Sequence, residues 1–144
     1  DILYIPSGPG YWEYDSTTSY LGQLGDAMAD ISEGFASLAA DAGITLPKQF
    51  SDIRLLMTRF ESNNPLHSAM IDAFKNVFGA DVCAHPIEMT RAVEQSGRFL
   101  SSIYEMDYRQ MTRETWRRAR ASFDRAYDEF RATLVDAWDK LEDE

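Results

Sequence analysis

The chain has 144 residues, a net charge of −10 at neutral pH, and 44% hydrophobic against 26% charged residues. That is one domain's worth of chain with an ordinary globular balance, which excludes a disordered protein. A field this acidic repels phosphate backbones, so nucleic acid is disfavoured as a partner unless a local basic patch overcomes it.

No run approaches the roughly 20 apolar residues that span a bilayer, because charges or glycines interrupt every hydrophobic stretch. The expectation is a chain that is soluble or peripheral to a membrane complex. The single cysteine, Cys83, excludes an intramolecular disulfide framework but fixes no redox compartment. A first residue of Asp rather than Met is what removal of a targeting segment, or trimming, would leave, so a processed organellar or exported chain is one expectation.

Residues 1–16 hold Pro6, Gly8, Pro9 and Gly10 among Ile2, Leu3, Tyr4, Ile5, Tyr11, Trp12 and Tyr14. Pro and Gly at this density exclude a helix and predict an extended arm, placed either over the domain's own groove or on a partner. From residue 17 the period becomes 3.6. Leu24, Met28, Ile31, Phe35, Leu38 and Ala42 line one face of a helix that Gly43 stops, with Asp26, Asp30, Glu33 and Ser37 opposite. Pro47 suits a first helical position, and Phe50, Ile53, Leu56, Met57 and Phe60 predict a second, shorter helix before the breaker Asn63-Asn64-Pro65.

Asn64 as N-cap and Pro65 as first residue open a third helix, with Leu66, Met70, Phe74, Val77 and Phe78 inward and Gly79 closing it. Ala80 to His85 reads as a loop. Pro86 then opens a fourth helix through Met89, Val93, Phe99, Leu100, Ile103 and Met106, with Gly97 inside it. A turn near Asp107 to Thr112, or else a bend in one continuous helix, leads to a long last helix, whose stripe is Trp116, Ala119, Phe123, Ala126, Phe130, Leu134, Ala137 and Leu141. The predicted fold class is all-α: an extended N-terminal arm (1–16) and a bundle of four to five helices (17–144).

Catalytic chemistry finds little support. The Glu-x-x-His spacing of bundle metal sites is absent, and His67 and His85 each sit near a helix start. Cys83 and His85 offer two ligands to a soft metal, short of a closed zinc site, and no third group orients them for nucleophilic catalysis. Gly8-Pro9-Gly10 lacks the Lys-Ser/Thr of a phosphate loop. No cofactor and no catalytic residue is expected.

Charge order in the last helix is the most distinctive feature. Arg109, Arg113, Arg117, Arg118, Arg120, Arg125 and Arg131 crowd its start, and Asp136, Asp139, Glu142, Asp143 and Glu144 its end. This opposes the macrodipole, which favours acids first and bases last. The arginines are expected to be matched either within the chain, by the first helix's acidic face or by Asp124 and Asp128, or by a partner with a complementary surface.

The stretch Asp41-Ala-Gly-Ile-Thr-Leu-Pro-Lys-Gln-Phe, running on to Arg54-Leu-Leu, resembles a helical segment near the end of the ABC-one type of atypical kinase. None of those kinases' catalytic motifs accompanies it, so the resemblance implies no kinase activity. In layout, an irregular Pro-containing arm before a helical bundle is similar to the PsbQ-type extrinsic subunits of photosystem II, with Leu21-Gly-Gln-Leu-Gly as a local echo. That likeness implies a lumenal, non-enzymatic cap on a photosynthetic membrane complex.

The functional expectation is a non-catalytic accessory subunit of a larger protein assembly. It docks on other protein subunits through the arm (Ile2, Leu3, Tyr4, Ile5, Tyr11, Trp12, Tyr14) and the Arg-rich start of the last helix (Arg109, Arg113, Arg117, Arg118, Arg120). The alternatives are an enzyme or small-ligand carrier with its site inside the bundle, and a homo-oligomeric shell or filament.

Overall fold

The computed structural model describes residues 2–42, 52–107, 109 and 111–142, with the side chains of 35, 37–42, 141 and 142 left aside. In chain order the elements are β1 (Ile2–Ser7), α1 (Tyr11–Ala42), β2 (Asp52–Met57), α2 (Pro65–Phe78), a 3-10 turn (Gly79–Asp81), α3 (Arg91–Arg98) and α4 (Arg113–Glu142). β1 and β2 pair in parallel, from Ile2 opposite Asp52 to Ser7 opposite Met57. Parallel neighbours need a long crossover, and the 32 residues of α1 supply most of it.

The fold is therefore mixed α/β, which overturns the all-α expectation. The predicted arm contains β1 and the first turn of α1, which starts at Tyr11 rather than at residue 17. The described part of the predicted second helix is β2; Gly43, Pro47 and Phe50 fall outside the described residues. The physical reason is length: a strand as short as Asp52–Met57 is too brief for its period to be told from helical spacing, and Leu55-Leu56-Met57 breaks any alternation.

β2 is the central strand, because the chain from Val82 to Met89 runs parallel along its other edge. Cys83 N–H donates to Leu55 O (2.9 Å), Ile87 N–H to Met57 O (2.8 Å) and Met89 N–H to Phe60 O (2.8 Å). The predicted fourth helix shrinks accordingly to the eight residues of α3. Pro86 does not open it, because this stretch spends its backbone hydrogen bonds on β2.

Side chains alternate across the sheet. Leu55, Met57 and Val82 face α1 and α2, where they bury Phe74 with Ile5, Tyr14, Leu21, Ile71 and Phe78 packed around it. Tyr4 points to the other face and meets Phe130 of α4 edge-on, with ring centroids 4.8 Å apart. α3 packs against α4 through Ala92, Ile103 and Ala119. The predicted stripe of α1 is only partly buried: Leu24 and Met28 are half-buried and Ile31 is exposed.

Two elements match the sequence reading at their ends, although Leu66 and Val77, expected inward on α2, are exposed. Asn64 caps α2 by accepting the Leu66 N–H at 3.1 Å, Pro65 is its first residue, and Gly79 ends it at φ 57°. α4 starts at the predicted turn, where the Thr112 hydroxyl accepts the Thr115 N–H at 3.2 Å.

Candidate functional site at the carboxyl ends of the strands

β1 runs into Gly8-Pro9-Gly10 and then directly into the N-terminus of α1, while β2 runs into Thr58-Arg59. Between them lies a cleft of about 360 Å³ lined by Pro6, Ser7, Gly8, Trp12, Glu13, Ser16, Thr17, Thr58 and Arg59. Hydroxyl groups build its floor. Ser7 and Thr17 are both buried with their oxygens 2.9 Å apart, which fixes α1 against the end of β1. Ser7 O accepts the Thr58 N–H at 2.8 Å and the Thr58 hydroxyl at 3.2 Å, which fixes β2 against the same point.

Arg59 carries the charge of the cleft. Its guanidinium donates to Glu13 Oε1 at 2.6 Å, and its backbone holds the left-handed conformation at φ 57°. A side chain other than glycine rarely takes that conformation, and such strain concentrates at functional sites. Trp12 stands at the rim, 76% exposed, with Tyr11 edge-on against it at 5.8 Å.

A second cleft, of about 510 Å³, lies where the Val82–Met89 stretch enters α3, and is lined by Glu61, Met89, Thr90, Arg91, Glu94 and Arg118. Arg118 also lines a groove of about 700 Å³ along the start of α4, with Arg113, Glu114, Arg117 and Ala121.

The sequence-predicted docking residues thus separate into groups. Ile2 and Leu3 are half-buried in β1, Tyr4 packs on Phe130, and Ile5 and Tyr14 belong to the core around Phe74. Tyr11 and Trp12 remain exposed. Among the arginines, Glu88 draws in Arg118 (3.4 Å) and Arg125 (3.6 Å). Arg120 lies 3.9 Å from Asp124 and over the rings of Tyr104 and Trp116, and Arg109 lies 3.9 Å from Asp107. Arg113 and Arg117 are exposed, and no ion pair among the described residues includes them.

Glu88, which the sequence reading did not name, thus pairs with two of the arginines, and Asp124, which it did name, lies beside a third. Sequence reasoning also missed Ser7, Glu13, Thr17, Thr58 and Arg59. The signal that could have found them was the Pro-Ser-Gly-Pro-Gly junction, read as a strand's carboxyl end entering a helix rather than as an arm.

On the α4 face, the Glu129 carboxylate accepts the N–H groups of Ala84 (2.7 Å) and His85 (3.0 Å), and its Oε2 lies 3.0 Å from His85 Nδ1. Next to it, burial pushes the Cys83 thiol up to about 11, helped by the Glu129 charge. The folded state thus disfavours the thiolate. Cys83 should contribute no pH dependence below about 9, and stability should fall as pH rises from there towards 11, where only the unfolded chain ionises. We expect iodoacetamide at pH 8 to leave Cys83 unmodified in the native chain and to alkylate it in urea, read by mass spectrometry. Rapid native labelling would contradict the buried, protonated thiol.

Among the described residues, no cluster of three or more His, Cys, Asp or Glu side chains could hold a metal ion, and no helix is long and apolar enough to cross a membrane. No family model matches the chain. Over 90 residues, 62% of its length, it is 29% identical to the "Putative replication protein A" of Rhizobium rhizogenes, and it spans 22% of the length of that curated relative.

Proposed function

We propose that this chain is part of a replication-related α/β protein, and that its cleft at the carboxyl ends of β1 and β2 binds a phosphorylated ligand of the nucleotide class. The observation that carries this is the placement of Arg59, the first turn of α1 and a glycine-containing junction around one cleft at the ends of parallel strands. Open parallel sheets bind ligands in that crevice, and a helix N-terminus favours anions there. Trp12 supplies an exposed aromatic face at the rim for a base. The likeness to a protein named for replication supports the setting.

The test is isothermal titration of the full chain with ATP as probe. Binding is expected, with Arg59→Ala at least about tenfold weaker, since a charge-assisted hydrogen bond contributes roughly 1.5–3 kcal/mol. Equal binding by the variant would remove the proposal, and so would absence of binding by the parent chain and by Glu13→Gln alike.

A second reading retains the non-catalytic interaction role, with other protein subunits docking on the start of α4. The arginine pair Arg113 and Arg117 favours it, exposed on a groove with Arg118 beside them. Reversing both charges should abolish salt-sensitive retention of the chain on an immobilised polyglutamate peptide. Retention on double-stranded DNA alone would point to phosphate as the partner chemistry instead.

A further inference from the structure

The anion position of the cleft is already filled from within the chain. Glu13 lies in the first turn of α1, where the positive end of the helix dipole favours a carboxylate, and its Oε1 sits 2.6 Å from the Arg59 guanidinium. The carboxylate folds back over the Gly8-Pro9-Gly10 junction, and the two glycines leave it room. A Cβ at Gly10 would press on the Glu13 carboxylate and one at Gly8 on the Arg59 guanidinium, so a side chain at either place would make these flexible ends shift.

We infer that Glu13 is a built-in competitor that occupies the seat of the ligand's phosphate and must swing away from Arg59 before an anion can bind. This deepens the cleft reading above and rests on it. Arg59, the cation that would pair with a phosphate, is the group that pairs with Glu13, and Glu13 itself belongs to the first turn of α1. A phosphate brings more charge and more acceptor oxygens than one carboxylate, so it can win that contest. The exchange is accessible because both side chains face solvent, Glu13 being 38% and Arg59 63% exposed. The buried Ser7–Thr17 pair and the Thr58 contacts to Ser7 O hold the backbone on either side while the carboxylate leaves.

The experiment compares binding of inorganic pyrophosphate and of ATP by the full chain, by Glu13→Gln and by Glu13→Ala, using isothermal titration. Circular dichroism confirms that each variant is folded. Both variants are expected to bind roughly tenfold tighter than the parent, equivalent to about 1.4 kcal/mol. Adding Arg59→Ala should erase the gain. If the parent binds either probe and both Glu13 variants bind it equally or more weakly, the competitor role is overturned and the cleft reading survives. If no form binds either probe, the cleft reading falls and takes the competitor with it.

Discussion

Replacing Phe74 by alanine is expected to lower the stability of the chain by about 3–5 kcal/mol, the range for emptying a large aromatic site in a packed core. Phe74 is fully buried, edge-on to Tyr14 of α1 at 4.9 Å and beside Phe78 at 6.0 Å, and it covers Leu55 and Met57 of the central strand. One side chain thus joins α1, α2 and β2, and removing it leaves a cavity whose walls are all fixed by other elements. In a chain of this length the melting temperature should fall by roughly 10 °C. The check is a urea titration followed by circular dichroism, and a change below about 1 kcal/mol would mean that the α2 face does not pack as described. Phe74→Leu should recover much of the loss, because it refills most of the volume.

The second large effect is expected at Glu129. Its carboxylate accepts two successive backbone N–H groups, at Ala84 and His85, and it is only 22% exposed. Alanine here leaves both exposed donors to water and frees Ala84 and His85 from α4, a loss of about 1–2 kcal/mol, while Ser122 still holds Pro86 and Glu88 to that helix. Glutamine keeps acceptor capacity on one oxygen only and should fall in between. Amide hydrogen exchange distinguishes this local clamp from general destabilisation. In Glu129→Ala the amides of Ala84 and His85 should lose protection well before those of α2. Uniform loss across the chain would show that the carboxylate supports the whole fold rather than this junction.

Phe74 was read correctly as an inward residue of the helix beginning at Pro65, because caps and breakers bracket that helix on both sides. Besides the helix α1, it faces the strand β2, which the sequence reading takes for a helix. Glu129 gave no signal at all. A carboxylate on a helix of alternating charge reads as solvated surface until the backbone it captures, 44 and 45 residues earlier, is folded against it.

The candidate cleft was illegible for a related reason. Ser7, Thr17, Thr58 and Arg59 are ordinary polar residues in sequence, and they converge only because β1 and β2 end side by side. Glu13 and Arg59, 46 positions apart, meet by the same convergence.

Sequence by itself determined the elements bounded by local chemistry: α2 with its Asn64-Pro65 start and Gly79 stop, and the turn before α4; its exclusion of helix from residues 1–16 holds only as far as Gly10, since α1 begins at Tyr11. Those signals act within one turn of backbone, so no distant contact is needed to read them. Tertiary structure alone decided that Ile2–Ser7 and Asp52–Met57 are parallel strands and that α4 packs on them through Phe130. A parallel strand gains its hydrogen bonds from a neighbour many residues away, so no turn in the local sequence announces the pairing.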